Sequence, residues 1–229
     1  MQWSFISQSW PQIWQLTLDN VLLGLLPPLI GLAVSVPLGI ACQRWRWLYP
    51  PVSALANAVY AIPSLAIFIV LIPYTGLGNL TVIIALALFS LCILLPNVVD
   101  GLRGVAEPVR QAATAMGFGD LRRMIQVELP IATPVILAGL RIAVVSSISL
   151  ASVSQIIGVN NLGYFFLDGL QRNFATELYV AIFLVMALAL VSDLSLVLIG
   201  RALTPWQRGQ PRVRARRGVL ARRPEAEAA

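Results

Sequence analysis

A chain of 229 residues that is 58% hydrophobic and only 11% charged, with a mean hydropathy of +0.81, cannot cover a water-facing surface with polar side chains, which excludes an ordinary soluble domain. The net charge of +6 comes from arginine alone, and those arginines cluster at the ends of apolar runs and in the tail rather than on an aromatic-studded face, which argues for membrane topology and against nucleic acid. The absence of histidine removes ordinary zinc sites, haem ligation and most hydrolase mechanisms, so an enzyme is hard to build.

The fold class that remains is an all-α integral membrane protein with about five transmembrane helices. A closed barrel would need short alternating segments, whereas the run from Thr81 to Pro96 is apolar on every side. In chain order, residues 1–16 form an uncharged, aromatic segment with Trp3, Phe5, Trp10 and Trp14, suited to the headgroup layer on the outer side. Residues 1–20 contain no positive charge and no small-residue cleavage site precedes a polar domain, so the segment does not read as a secretory signal peptide. Spans are expected near 21–42, 52–73, 80–99, 130–157 and 178–200. The first contains Pro27, Pro28 and Pro37 and should be kinked. Cys42 and Cys92 are too far apart for a metal or redox motif and read as packing residues. The tail from 203 to 229 is Arg-rich and poor in large apolar residues. It should be disordered, with its charge serving topology and, secondarily, contact with anionic lipid.

Orientation follows from the loops. Arg44 and Arg46 follow span one, Arg103, Arg110, Arg122 and Arg123 follow span three, and a dense series from Arg201 to Arg223 follows span five, whereas the opposite side holds only Arg172. Cytoplasmic loops carry the excess of positive charge, so the N-terminus is expected outside and the C-terminus in the cytoplasm. Trp45, Trp47, Tyr49 and Trp206 suit the inner boundary.

The polar loop from Asp100 to Leu129 reads as helix. Gln111, Ala112, Ala113, three residues, Gly117, nine residues, Val127, Glu128, Leu129 and Pro130 resemble the EAA motif of bacterial ABC importer permeases, with Gln in place of Glu and Val in place of Ile. Small residues suit close backbone approach to a partner, Gly117 suits a sharp turn or positive φ at a helix end, and Pro130 suits the first turn of span four. Asp120, Arg122 and Arg123 suit charge pairs at the rim. The resemblance implies that residues 111–121 are a cytoplasmic coupling helix between spans three and four of a type I ABC importer permease fold. Gln111, Ala112, Ala113, Met116, Gly117 and Arg122 would then meet the ATPase.

Ala61 to Ala66, reading AIPSLA, and Ile156 to Gly163, reading IIGVNNLG and followed by Gly169, Leu170 and Gln171, resemble segments of the glycine betaine, carnitine and choline permeases. Asn160 and Asn161 replace the family's glycines, and Asn tolerates left-handed backbone best among other residues. The similarity makes residues 17–202 the transmembrane domain. It implies an osmoprotectant such as glycine betaine, carnitine, choline or proline as cargo. It also implies an ATPase subunit dimer, a second permease copy or paralogue and an extracellular solute-binding protein as partners, in a bacterial inner membrane. The chain has no phosphate-binding G-x-x-x-x-G-K-[ST] sequence, so ATP and Mg are expected on the partner and no cofactor on this chain. Permeases for methionine or another amino acid, and an ATP-independent channel, stand as alternatives.

Polar residues within the spans are functional candidates, because each costs free energy in hydrocarbon unless it faces protein or water. Ser149, Ser152 and Gln155 in span four are expected to line the pathway. Ser64 beside Pro63 and Asn97 near the inner end of span three join them, while Asp193 reads as a satisfied interhelical hydrogen bond.

Overall fold

The computed structural model describes residues 9–206. Trp3, Phe5 and the Arg-rich tail beyond Trp206 lie outside the described residues. Helix α1, Trp10–Arg44, runs through Pro27, Pro28 and Pro37 without a break. Pro27 cannot donate to the Leu23 carbonyl one turn earlier, and that carbonyl instead faces the Ser147 hydroxyl, which donates across the helix seam at 3.4 Å. Neighbouring helices re-satisfying a freed carbonyl is how proline survives in a membrane helix. At 35 residues and about 1.5 Å each, α1 is longer than the hydrocarbon core needs, and its first turns take in Trp10 and Trp14 of the expected interfacial segment.

The second expected span is two helices, α2, Tyr49–Ala61, and α3, Ser64–Thr75, bent by 98°. Ile62 and Pro63 are extended, with ψ of 131° and 135°. A residue before proline is pushed out of the α region, and Pro63 has no N–H to continue the ladder. Hydropathy alone cannot see such a bend, since the two halves run on as one apolar stretch. Neither half is long enough to cross by itself: 13 and 12 residues give only about 20 Å at 1.5 Å per residue.

Helix α4, Asn79–Arg103, is the central element. It packs on α1, α2 and α3 and on α7, Leu129–Val153. Leu86 and Phe89 meet Leu23, Phe68 and Ala151 towards one end; Leu94 lies with Leu140, Val144 and Ile148 at mid-height; Val98 and Leu102 lie with Ala132 and Ile136 towards the Arg-rich end. Between α4 and α7 come the short helices α5, Glu107–Ala115, and α6, Asp120–Arg123, and then a π-helical turn, Met124–Glu128. A 3-10 turn, Ser154–Ile157, follows α7 and leads to α8, Gly163–Gln171, and α9, Ala175–Leu203. Helix α9 touches only α7 and α8 to any extent and leaves apolar residues such as Phe183, Leu190 and Leu198 exposed along its length. Such a surface suits lipid or another apolar helix.

The turn after α7 is built differently from expectation. Gly158 takes the left-handed conformation (φ 82°), while Asn160 and Asn161 keep negative φ. Buried Asn161 works through its side chain: its amide donates to Ser154 Oγ at 2.9 Å and to the Val159 carbonyl at 2.8 Å, and its Oδ1 accepts from the Gly163 N–H at 2.7 Å. A Cβ on Gly163 would collide with the Ser152 carbonyl oxygen.

Candidate functional site

Helix α5 begins with Pro108 in its first turn and ends in a Schellman motif: the Phe118 N–H reaches the Ala113 carbonyl at 3.1 Å and the Gly117 N–H reaches Thr114 at 2.9 Å. Gly117 has φ of 85° and open space where a side chain would project, so glycine answers a conformational demand there. This is the sharp turn expected of the motif. Gln111, Ala112, Met116 and Leu121 are exposed, Met116 at 70%, giving a small-residue ridge flanked by apolar tips. Ala113 is turned inward and buried, so only one of the two adjacent alanines is on the free face. Arg122 is exposed and donates to Gln126 Oε1 at 3.0 Å, with its guanidinium 4.8 Å from the Phe118 ring centre.

Behind this face lies a feature that the motif letters do not announce. Glu128, the residue between Val127 and Leu129, is 1% exposed. Its Oε2 accepts from Gln43 Nε2 of α1 at 2.9 Å and its Oε1 from Arg123 Nε of α6 at 3.0 Å. Arg110 Nε of α5 stands 3.2 Å from Oε2 as an ion pair without hydrogen-bond alignment. Arg110 also donates to the Leu102 carbonyl at the end of α4 at 2.7 Å, and Arg123 donates to Thr114 Oγ1 at 2.9 Å. Arg123, expected at the rim, is therefore directed inward; Asp120 keeps looser pairs, 3.5 Å to Arg123 and 4.0 Å to Arg44. A cavity of about 440 Å³ bordered by Gln43, Arg110, Arg123 and Glu128 opens beside the cluster. Removing one partner from a buried charge cluster is costly, on the order of 3–5 kcal/mol.

The polar residues of the spans do not converge on one face. Ser149 is exposed, its hydroxyl donating to the Val145 carbonyl at 3.2 Å. Ser152 instead faces α1, donating to buried Asn20 Oδ1 at 3.4 Å. Gln155 lies in the 3-10 turn, half-buried, with its Oε1 enclosed and unpartnered. Ser64 opens α3, half-buried, and α3 packs on that same turn. Asn97 is turned into the α4–α7 seam, where it donates to the Ile93 carbonyl at 2.8 Å and lies against Gly139. At mid-height of α7, Arg141 makes a two-pronged pair with Asp193 of α9, both bonds 2.7 Å, so the satisfied polar contact expected of Asp193 has a charged partner. No cluster of metal-ligating side chains occurs among the described residues.

Comparison with known proteins places these features in a wider set. The family described as binding-protein-dependent transport system inner membrane component matches residues 35–208. The choline transport system permease protein OpuBB of Bacillus subtilis is 31% identical over 82% of this chain and 87% of its own length. The glycine betaine/carnitine/choline transport system permease protein OpuCD of the same organism is 32% identical over 88% and 89%, and the osmoprotectant import permease protein OsmW of Salmonella typhimurium is 33% identical over 77% and 85%. Among solved structures, the inward-facing MetNI methionine ABC transporter superposes with a TM-score of 0.75 at 20% identity, covering 84% of this chain and 96% of that one. An amino acid ABC transporter superposes with a TM-score of 0.59 at 16% identity, over 87% and 97%.

Proposed function

Because the chain belongs to the binding-protein-dependent transport system inner membrane components, we propose that it forms the translocation pathway of an ATP-driven importer for a small osmoprotectant of the betaine, carnitine or choline type. One observation carries this reading: a short helix, α5, ends in a glycine-based Schellman turn at the Arg-rich end of an apolar bundle and presents Gln111, Ala112 and Met116 outward. The outward face of that helix meets nothing else among the described residues and suits a cleft on an ATPase subunit.

In this reading α5 and its flanks face the cytoplasm, an ATPase dimer binds there, and a solute-binding protein delivers cargo at the opposite end. A second copy or a paralogue covers the apolar faces of α2, α3 and α9. Ser64, Ser149, Ser152 and Gln155 are pathway candidates of unequal standing: Ser149 is free to meet cargo, Ser64 sits at the break in span two, and Ser152 is engaged by Asn20. Neutral hydroxyls suit a weakly held zwitterion that must leave as readily as it enters. Asn97 acts in packing rather than in the pathway.

The test is reconstitution of the chain with its ATPase and solute-binding protein in vesicles. ATP-dependent accumulation of radiolabelled glycine betaine or choline supports the reading. Accumulation without ATP returns the channel alternative, and accumulation of methionine alone overturns the cargo.

A further inference from the structure

The buried Glu128 cluster joins four elements at one carboxylate, and the geometry points to a transmission role that rests on the importer reading above. We propose that Glu128 is a positioning residue that carries displacement of α5 simultaneously to α1 and α7, with Gln43 as the strut to α1. Four observations converge on it.

Glu128 is the last residue of the π turn and directly precedes Leu129 and Pro130, where α7 begins, so its position sets where that helix starts. The Leu129 N–H closes on the Met124 carbonyl five residues back, a widened turn of the kind that recurs at functional sites. Arg110 on α5 is bound at once to Glu128 and to the Leu102 carbonyl of α4. A pull on α5 therefore acts on the ends of α4 and α7 together. Gln43, in the last turn of α1, reaches the same carboxylate from a site 85 residues away in sequence.

Energetics separates this cluster from the other polar contacts of the loop. The Arg44–Asp120 pair is 4.0 Å apart with both side chains about two-thirds exposed, and exposed pairs of that kind contribute little. The Glu128 side chain is 2% exposed and cannot exchange its partners for water. A buried ion cluster is weak as a source of stability, since apolar residues of similar volume often serve as well. Its gain is a fixed geometry between elements that must move as one. The adjoining cavity of about 440 Å³ leaves room for Arg110 and Arg123 to shift without unpacking the bundle.

The experiment uses the complete importer in vesicles and reads ATP hydrolysis, uptake and the amount of assembled complex side by side. Gln43→Leu removes only the strut to α1, and Glu128→Gln removes the charge while keeping the shape. The expected result is an assembled complex with ATP hydrolysis near that of the native one, while uptake per ATP falls roughly five-fold or more. Gln43→Lys, which restores a donor to Glu128, returns the ratio to near the native value. The proposal is overturned if uptake per ATP is unchanged in both Gln43→Leu and Glu128→Gln, or if uptake and hydrolysis fall together in proportion to lost complex. Failure of the native complex to couple ATP to uptake would instead sink the importer reading itself.

Discussion

At the scale of single residues, the pair Arg141–Asp193 and the lone Gln111 pose opposite problems. The pair lies at mid-height of two apolar helices, joined by two bonds of 2.7 Å. Replacing Asp193 by Ala strands a guanidinium where water is scarce, and the purified chain should lose about 2–3 kcal/mol in thermal denaturation. The double change Arg141→Met with Asp193→Leu should recover most of that loss, because no charge is then left unpaired. Gln111 is exposed and neutral where the EAA motif that it resembles has Glu. A hydrogen bond to a charged group exceeds a neutral one by about 1 kcal/mol, so Gln111→Glu should tighten ATPase binding roughly five-fold in a pull-down titration; no change would show that this position does not touch the partner. Gln111 and Gly117 were legible in the sequence because their spacing is local and their chemistry follows from helix ends. Glu128 was not, since its partners Gln43 and Arg123 lie 85 and 5 residues away, and no periodicity links α1 to the loop. Asp193 was legible as a satisfied interhelical contact, but its partner Arg141, 52 residues away, was not, for the same reason.

The elements differ in how much of their shape is local. Five apolar stretches could be counted from hydropathy, but Pro63 decides whether the second is a rod or two short helices meeting at 98°. Pro63→Ala restores an N–H and frees Ile62 to enter the α region, so it should straighten the span and draw Ser64 away from its present place. Ser64→Cys in the native background should react with a polar thiol reagent, and adding Pro63→Ala should slow that reaction; equal rates would mean that the bend is set by packing against α4 rather than by proline. Cys42 and Cys92 are buried, so the background is low. Gly117 offers the complementary case. Open space surrounds it, so Gly117→Ala pays only the left-handed backbone penalty, about 1 kcal/mol or slightly more. The turn after α5 should weaken, lowering ATPase affinity, while the melting temperature of the bundle stays where it was.

For the whole molecule, the decisive question is which side of the membrane receives α5. Arginine placement predicts the cytoplasmic side, and the fold gathers Arg44, Arg103, Arg110 and Arg123 at one end with α5, and Asn160, Asp168 and Arg172 at the other. Charge asymmetry of this kind sets orientation because arginine-rich loops resist translocation. Two introduced cysteines can read it directly over the buried Cys42 and Cys92, since Gln111 and Asn160 are both exposed on the chain and sit at opposite ends. In intact cells a membrane-impermeant maleimide should label Asn160→Cys and spare Gln111→Cys; after permeabilisation both should react. The reverse pattern would put the docking helix outside, away from any nucleotide, and the importer reading could not survive it. Labelling of Gln111→Cys in permeabilised cells should also be blocked when the ATPase is co-expressed, because the same face that reports topology is the one the partner must cover.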